Sequence, residues 1–178
     1  QLFPNISGRL FDLASSVICD SASGALLAIC NGYVLYDSVG NIMDGGDSLV
    51  PSKIFHHNPA PNGQATQGSI ILPKGSTGLF YVITPTITDS MYDFWTNNPQ
   101  FQKAPFDLLQ YHIFDMNANG GLGKVIQKDI PLLTNVEMSK VGMMACRHAN
   151  GYDWWLLKQA LDTNMIYTFL VTKDTITL

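Results

Sequence analysis

Few residues in this chain have the type and spacing for chemistry. Asp115-Met116-Asn117-Ala118-Asn119-Gly120 has the form D-x-N-x-N-G, the first half of a calcium loop. Three side-chain oxygens at alternate positions, with a glycine at the sharp turn, suit a hard cation. Such a loop closes with a bidentate acid six residues after the glycine, and that position is Ile126. The run therefore reads as a turn between strands, and no metal site is expected. His56-His57 sits in a Pro-rich loop, with His112 and His148 elsewhere, and no Cys or acid stands at a zinc-like spacing from them. Asp89, Asp93, Asp107 and Asp115 are the densest acids, without the paired pattern of a glycosidase. There is no Gly-x-Ser-x-Gly, and Cys146 lies in an apolar run where a thiol is usually inert. The chain reads as non-enzymatic, with no catalytic residue and no cofactor.

The elements that would carry any site are strands. Ser139–Val171 holds an apolar strand, a tight turn at Asn150-Gly151, an aromatic strand through Trp154 and Trp155, a polar connection and a third apolar strand. Asn-Gly between apolar runs is a strong hairpin signal, because both residues tolerate positive φ. His148 is placed to fix that turn through its side chain. Tyr152–Leu157 and Met165–Val171 are apolar on both faces, so both faces must be covered. Asp153–Leu161 also contains good helix formers, and strand is the favoured reading because the turn leads directly into Trp-Trp.

Earlier stretches look like weaker copies. Val17–Cys19, Ala25–Cys30 and Tyr33–Tyr36 form a meander, followed by a turn at Asp37–Asn41. Ser48–Gly68, with Pro51, Pro59 and Pro61, reads as loop. Ser69–Leu72 and Leu79–Thr84 begin a second unit, interrupted by residues 86–105, which contain a helical turn near Met91–Trp95. Each unit closes its first turn with a glycine: Gly24, Gly78 and Gly151. Residues 1–178 thus read as one all-β domain with units at about 14–46, 69–130 and 136–178. Three antiparallel meanders that cover their faces by stacking follow the logic of a β-propeller. Propellers need about four to eight blades, so this is part of one, or one completed by oligomerisation, unless the sheets form a sandwich.

Composition narrows the function classes. The 178 residues are 46% apolar and only 13% charged, with net charge −4 and ten scattered Lys and Arg. A chain so poor in charge suits an extracellular all-β protein, and no basic patch argues for nucleic acid. No apolar run reaches the roughly 18 residues of a membrane span. The chain begins at Gln1 without a signal peptide, which reads as a processed or truncated product. Its three cysteines cannot all pair. Cys19 and Cys30 lie on neighbouring strands where a bridge is conceivable, and the alternative is three buried small apolar side chains.

Residues 20–43, 67–84, 111–133, 140–157 and 165–172 resemble, in order, the N-terminal propeller-like region of large exported Bacteroidota proteins of the type IX secretion, gliding-motility-associated kind. The most specific pieces are Asn-Gly-Gly-Leu-Gly at Asn119–Gly123 and His-Ala-Asn-Gly-x-Asp-Trp-Trp at His148–Trp155. The resemblance implies a propeller fold and a secreted or cell-surface location, with further blades and a sorting domain in the family. It supplies no catalytic residues. Asp followed by Ser or Thr and an apolar residue recurs at Ser21, Ser38, Ser48, Ser90 and Thr175. That triplet resembles the Bacteroidota O-glycosylation acceptor, and it is also ordinary turn chemistry. Asn5-Ile6-Ser7 fits an N-glycan sequon.

The functional expectation is a non-catalytic interaction or assembly module, with other protein chains or copies of itself as partners. The alternative is a carbohydrate-binding or carbohydrate-active domain using residues 91–106, with Tyr92, Phe94, Trp95 and Phe101 as the stacking platform and glycans as ligands.

Overall fold

A computed structural model describes residues 15–57, 68–75, 78–100 and 106–178. The first unit contains β1 (Ser16–Cys19), β2 (Leu26–Cys30) and β3 (Leu35–Tyr36), followed by helix α1 (Ser52–His57). The second contains β4 (Ile70–Pro73), β5 (Leu79–Thr86), helix α2 (Asp89–Asn97) and β6 (Phe106–Asp115). A 3-10 turn at Asn119–Gly121 leads into β7 (Lys124–Arg147), then β8 (Trp154–Ala160), β9 (Ile166–Val171) and β10 (Ile176–Thr177). The protein is all-β in character, with antiparallel strand pairs ordered β1-β2-β3 in one sheet and β10-β9-β8-β7-β6-β5-β4 in the other.

The seven-stranded sheet is two meanders sharing one long strand. From Lys124 to Met138, β7 pairs with β6; from Met138 to Arg147 it pairs with β8. Asp129 and Asn135 have φ of 59° and 58°, and the β6–β7 register slips repeatedly along this stretch. Bulges of this kind bend and twist a strand. They let one strand end the second unit and begin the third. The units expected at about 69–130 and 136–178 are thus joined through one continuous strand, β7.

Side-chain alternation explains the layering. On one face of the second unit, Val82, Phe114 and Val125 pack against Ala28, Cys30 and Leu35 of the first. On its other face, Tyr81, Ile83 and Ile113 share a core with Leu156, Phe169 and Val171 of the third. The middle unit is therefore covered on both sides, as its doubly apolar strands require.

Several expectations change. Ser52–His57 is helical where loop was expected, because Asp89 accepts hydrogen bonds from the Lys53 N–H (2.9 Å) and the Ser52 hydroxyl (3.0 Å) at that helix start. The expected strand Tyr33–Tyr36 shortens to β3. The His148–Asp153 turn spans six residues, and only Gly151 takes positive φ, at 78°. Asn150 acts through its side chain, its Oδ1 accepting from the N–H groups of Tyr152 and Asp153, both at 3.0 Å. The conceived disulfide does not form, and all three cysteines are free. Cys19 stands opposite Leu26 and Cys30 opposite Ser16. They sit at opposite ends of the hairpin, about 10 Å apart along the strand, which no bridge spans. Only Cys30 is buried; burial pushes its thiol up to about 11. Phe101 and the Asn5 sequon lie outside the described residues.

Candidate functional site

The third unit carries a sheet face that no other described element covers. Alternation along β8 sends Trp154, Leu156, Lys158 and Ala160 inward. It sends Trp155, Leu157 and Gln159 outward. Cross-strand register then fixes their neighbours: Cys146 and Leu170 flank Trp155, and Met144 and Thr168 flank Leu157. Met144 and Ile166 are each 56% exposed, and Cys146 is exposed. Gly142, Met144, Leu157 and Ile166 line a shallow depression of about 230 Å³. Apart from Gln159 and Thr168, this face is apolar like the faces buried between units, yet no described element packs on it.

The turn at its end is rigid. The His148 N–H donates to the Asp153 carbonyl at 2.9 Å, the Gly151 N–H to the His148 carbonyl at 3.0 Å, and the Asn150 amide to the Asp153 carboxylate at 2.7 Å. His148 lies in the turn, its Nδ1 accepting from the Asn150 N–H at 3.2 Å. Its ring also leans on Trp155, with centroids 5.4 Å apart. Trp154 lies on the opposite side of the strand, packed against the core and beneath the Arg147 guanidinium at 5.4 Å.

Two buried polar groups hold this framework. His112 is 1% exposed. Its Nδ1 accepts from the Asp129 N–H at 3.1 Å, so the ring proton sits on Nε2, which lies 3.2 Å from the Thr84 hydroxyl. Burial, with Lys128 nearby, pushes its pKa down to about 3. Gln110 joins the cluster by donating to the Leu49 carbonyl at 2.9 Å. Lys158, fully buried, donates to the carbonyls of Ser139 (2.6 Å) and Val141 (3.0 Å) and so clasps the bulge at the start of the third unit. Burial lowers its pKa to about 8. Sequence patterning missed both, because a strand-centre His or Lys looks like an exposed residue until the sheet is covered.

The remaining expected site residues disperse. The aromatics of α2 do not form one platform. Tyr92 packs on the core, Phe94 is 49% exposed, and Trp95 meets Tyr92 edge-on at 6.4 Å. At about 100° per residue, positions 92 and 94 face opposite ways. The acids are structural. Asp89 caps α1, and Asp93 pairs with Lys53. Asp107 accepts from the Thr88 N–H and hydroxyl, both at 2.7 Å, and Thr88 in turn caps α2. Asp115 accepts from the Asn117 N–H at 2.8 Å, so the D-x-N-x-N-G run folds as a turn. Ile126 lies on β7 and is 49% exposed. Gly78, at φ 78°, leaves room for Asn117, which would lie 2.6 Å from an added Cβ. Of the Asp-Ser/Thr positions, Ser21, Ser90 and Thr175 are exposed, while Ser38 and Ser48 are half-buried. Asp20 and Asp37 use their carboxylates inside their own turns.

Compared with known proteins, the chain matches no family model, no curated protein and no solved structure. No described helix is long and apolar enough to cross a membrane.

Proposed function

We propose that this chain is a non-catalytic interaction and assembly module of a secreted or cell-surface protein. Its three units are stacked blades of a β-propeller, partial in one chain or completed between copies. The blade reading is supported by the face-to-face burial of the middle unit and by the placement of first strands. Among the described residues, β1, β4 and the C-terminal half of β7 each have a strand partner on one side only.

The observation that carries the functional reading is the outer face of the third unit. Trp155, Leu157, Met144, Ile166 and Leu170 form there the kind of surface that buries itself against a neighbouring sheet elsewhere in the same molecule. A second copy is the occupant, two-fold related, since one face meeting itself closes without further sites. Three strands, the C-terminal half of β7 with β8 and β9, at about 4.8 Å spacing and each about six residues long, give a footprint on the order of 300 Å². That is below the roughly 800 Å² per partner of a standard stable interface, so the association is weak. Light scattering between about 10 µM and 1 mM tests this. The mass should climb toward twice that of the monomer, and Leu157→Lys should hold it at one. A wild-type mass that stays monomeric across the range, or a Leu157→Lys mass that climbs equally, overturns the reading.

A further inference from the structure

The three first strands border one groove. Ile18 and Cys19 of β1, Ile70–Pro73 of β4, and Ala145 and Arg147 of β7 line a trough of about 770 Å³. It opens at Arg147 and Trp154 into a wider mouth of about 860 Å³ framed by three turns, at Lys74-Gly75, Asn150–Asp153 and Lys173-Asp174. Both volumes fall within the range of ligand clefts.

The two halves differ in chemistry. The trough walls are mainly aliphatic, with Ile18, Leu27, Leu79 and Met116 prominent. At the mouth stand three cations, Lys74, Arg147 and Lys173, against two carboxylates. Asp153 is engaged by Asn150, and Asp174 lies 4.0 Å from Lys173. Asp20, at the trough's other end, turns its carboxylate into its own turn. Among the described residues no carboxylate pairs with Arg147. Its guanidinium lies over the Trp154 ring, 5.4 Å from the centroid, a cation–π contact that places the fork at the mouth for an oxyanion. Tyr152, beside it on the rigid turn, is 83% exposed. On a chain of net charge −4, this is a local excess of positive charge.

We propose that the groove binds an extended peptide segment of a partner protein, its aliphatic side chains in the trough and an acidic side chain on Arg147. Aliphatic walls suit peptide side chains and not polyhydroxylated sugar rings. Among the described residues the strand edges along the trough have no partner, and they offer backbone groups to an extended chain, as in strand addition. The site does not use the outer face of the third unit, so it stands or falls separately from self-association.

The test is fluorescence polarisation with two pools of labelled octapeptides. Each has four randomised aliphatic residues followed by four glutamates in one pool and four lysines in the other. The glutamate pool should bind at least tenfold more tightly than the lysine pool. Arg147→Glu should reverse that preference, and Lys173→Glu, a change at a 74% exposed side chain, should weaken glutamate-pool binding severalfold without moving the thermal midpoint. Leu157→Lys should leave binding unchanged. No binding of the glutamate pool, equal binding of both pools, or an Arg147→Glu variant that folds yet keeps the original preference would each refute the proposal. Displacement of bound peptide by neutral oligosaccharides alone would refute it in favour of a glycan site.

Discussion

Lowering the pH from 7 to 5 should destabilise the fold by about 2 kcal/mol through His112 alone. In the unfolded chain the imidazole titrates near 6.5, whereas in the folded protein it stays neutral to about 3. Between those values the unfolded state binds one more proton, so stability falls as pH falls, at about 1.4 kcal/mol per unit. From 6.5 down to 5 that amounts to about 2 kcal/mol, and the result needs only that the folded value lie well below 5. The geometry supplies the reason. Protonating Nδ1 would set its N–H against the Asp129 N–H that now donates to it. Lys128 opposes the charge as well, and the nearby Asp129 carboxylate, 3.8 Å away and 63% exposed, is too well solvated to offset burial. Urea unfolding followed by tryptophan fluorescence at pH 7, 6 and 5 should show the midpoint falling by about 1 M, for a slope of about 2 kcal/mol per M. His112→Gln, whatever its stability at pH 7, should lose this component of the pH slope. In the wild type the His112 ring resonances should not move down to pH 4. A wild-type slope equal to that of His112→Gln, or a His112 resonance titrating near 6.5, would refute the reasoning.

Two further outcomes are expected. Lys158 releases its proton near pH 8 in the folded protein and near 10.5 when unfolded, so raising the pH from 7.5 to 9.5 should stabilise the wild type relative to Lys158→Met. Thermal midpoints of the pair at both pH values measure this. Gly78→Ala should cost about 1–2 kcal/mol, because the added Cβ meets both a left-handed backbone and the Asn117 side chain; equilibrium urea unfolding reads it directly.

Much of the strand framework was legible because its signals are local. Glycines at 24, 78 and 151 all adopt positive φ at turns, and Trp154 and Trp155 do face opposite sides of one strand. What was not legible depends on partners distant in sequence. The helix at Ser52–His57 is capped by Asp89, thirty-seven residues from Ser52. The exposure of Cys146 follows from an uncovered sheet face rather than from its apolar neighbours. The α2 aromatics looked like a platform because sequence lists them together, while helical geometry turns Tyr92 to the core. The groove draws its walls from three strands spread between Ile18 and Arg147, and no local pattern announces it.

The thiols offer the most direct measurement of the proposed assembly face. Cys146 lies on that face beside Trp155, Cys19 is exposed on the first unit, and Cys30 is buried. Maleimide labelling, resolved by peptide mass, would follow all three as the protein is concentrated from about 10 µM to 1 mM. Cys146 should slow with concentration while Cys19 holds its rate and Cys30 stays unlabelled. A Cys146 rate that keeps pace with Cys19 throughout would show that the outer face of the third unit meets no second copy.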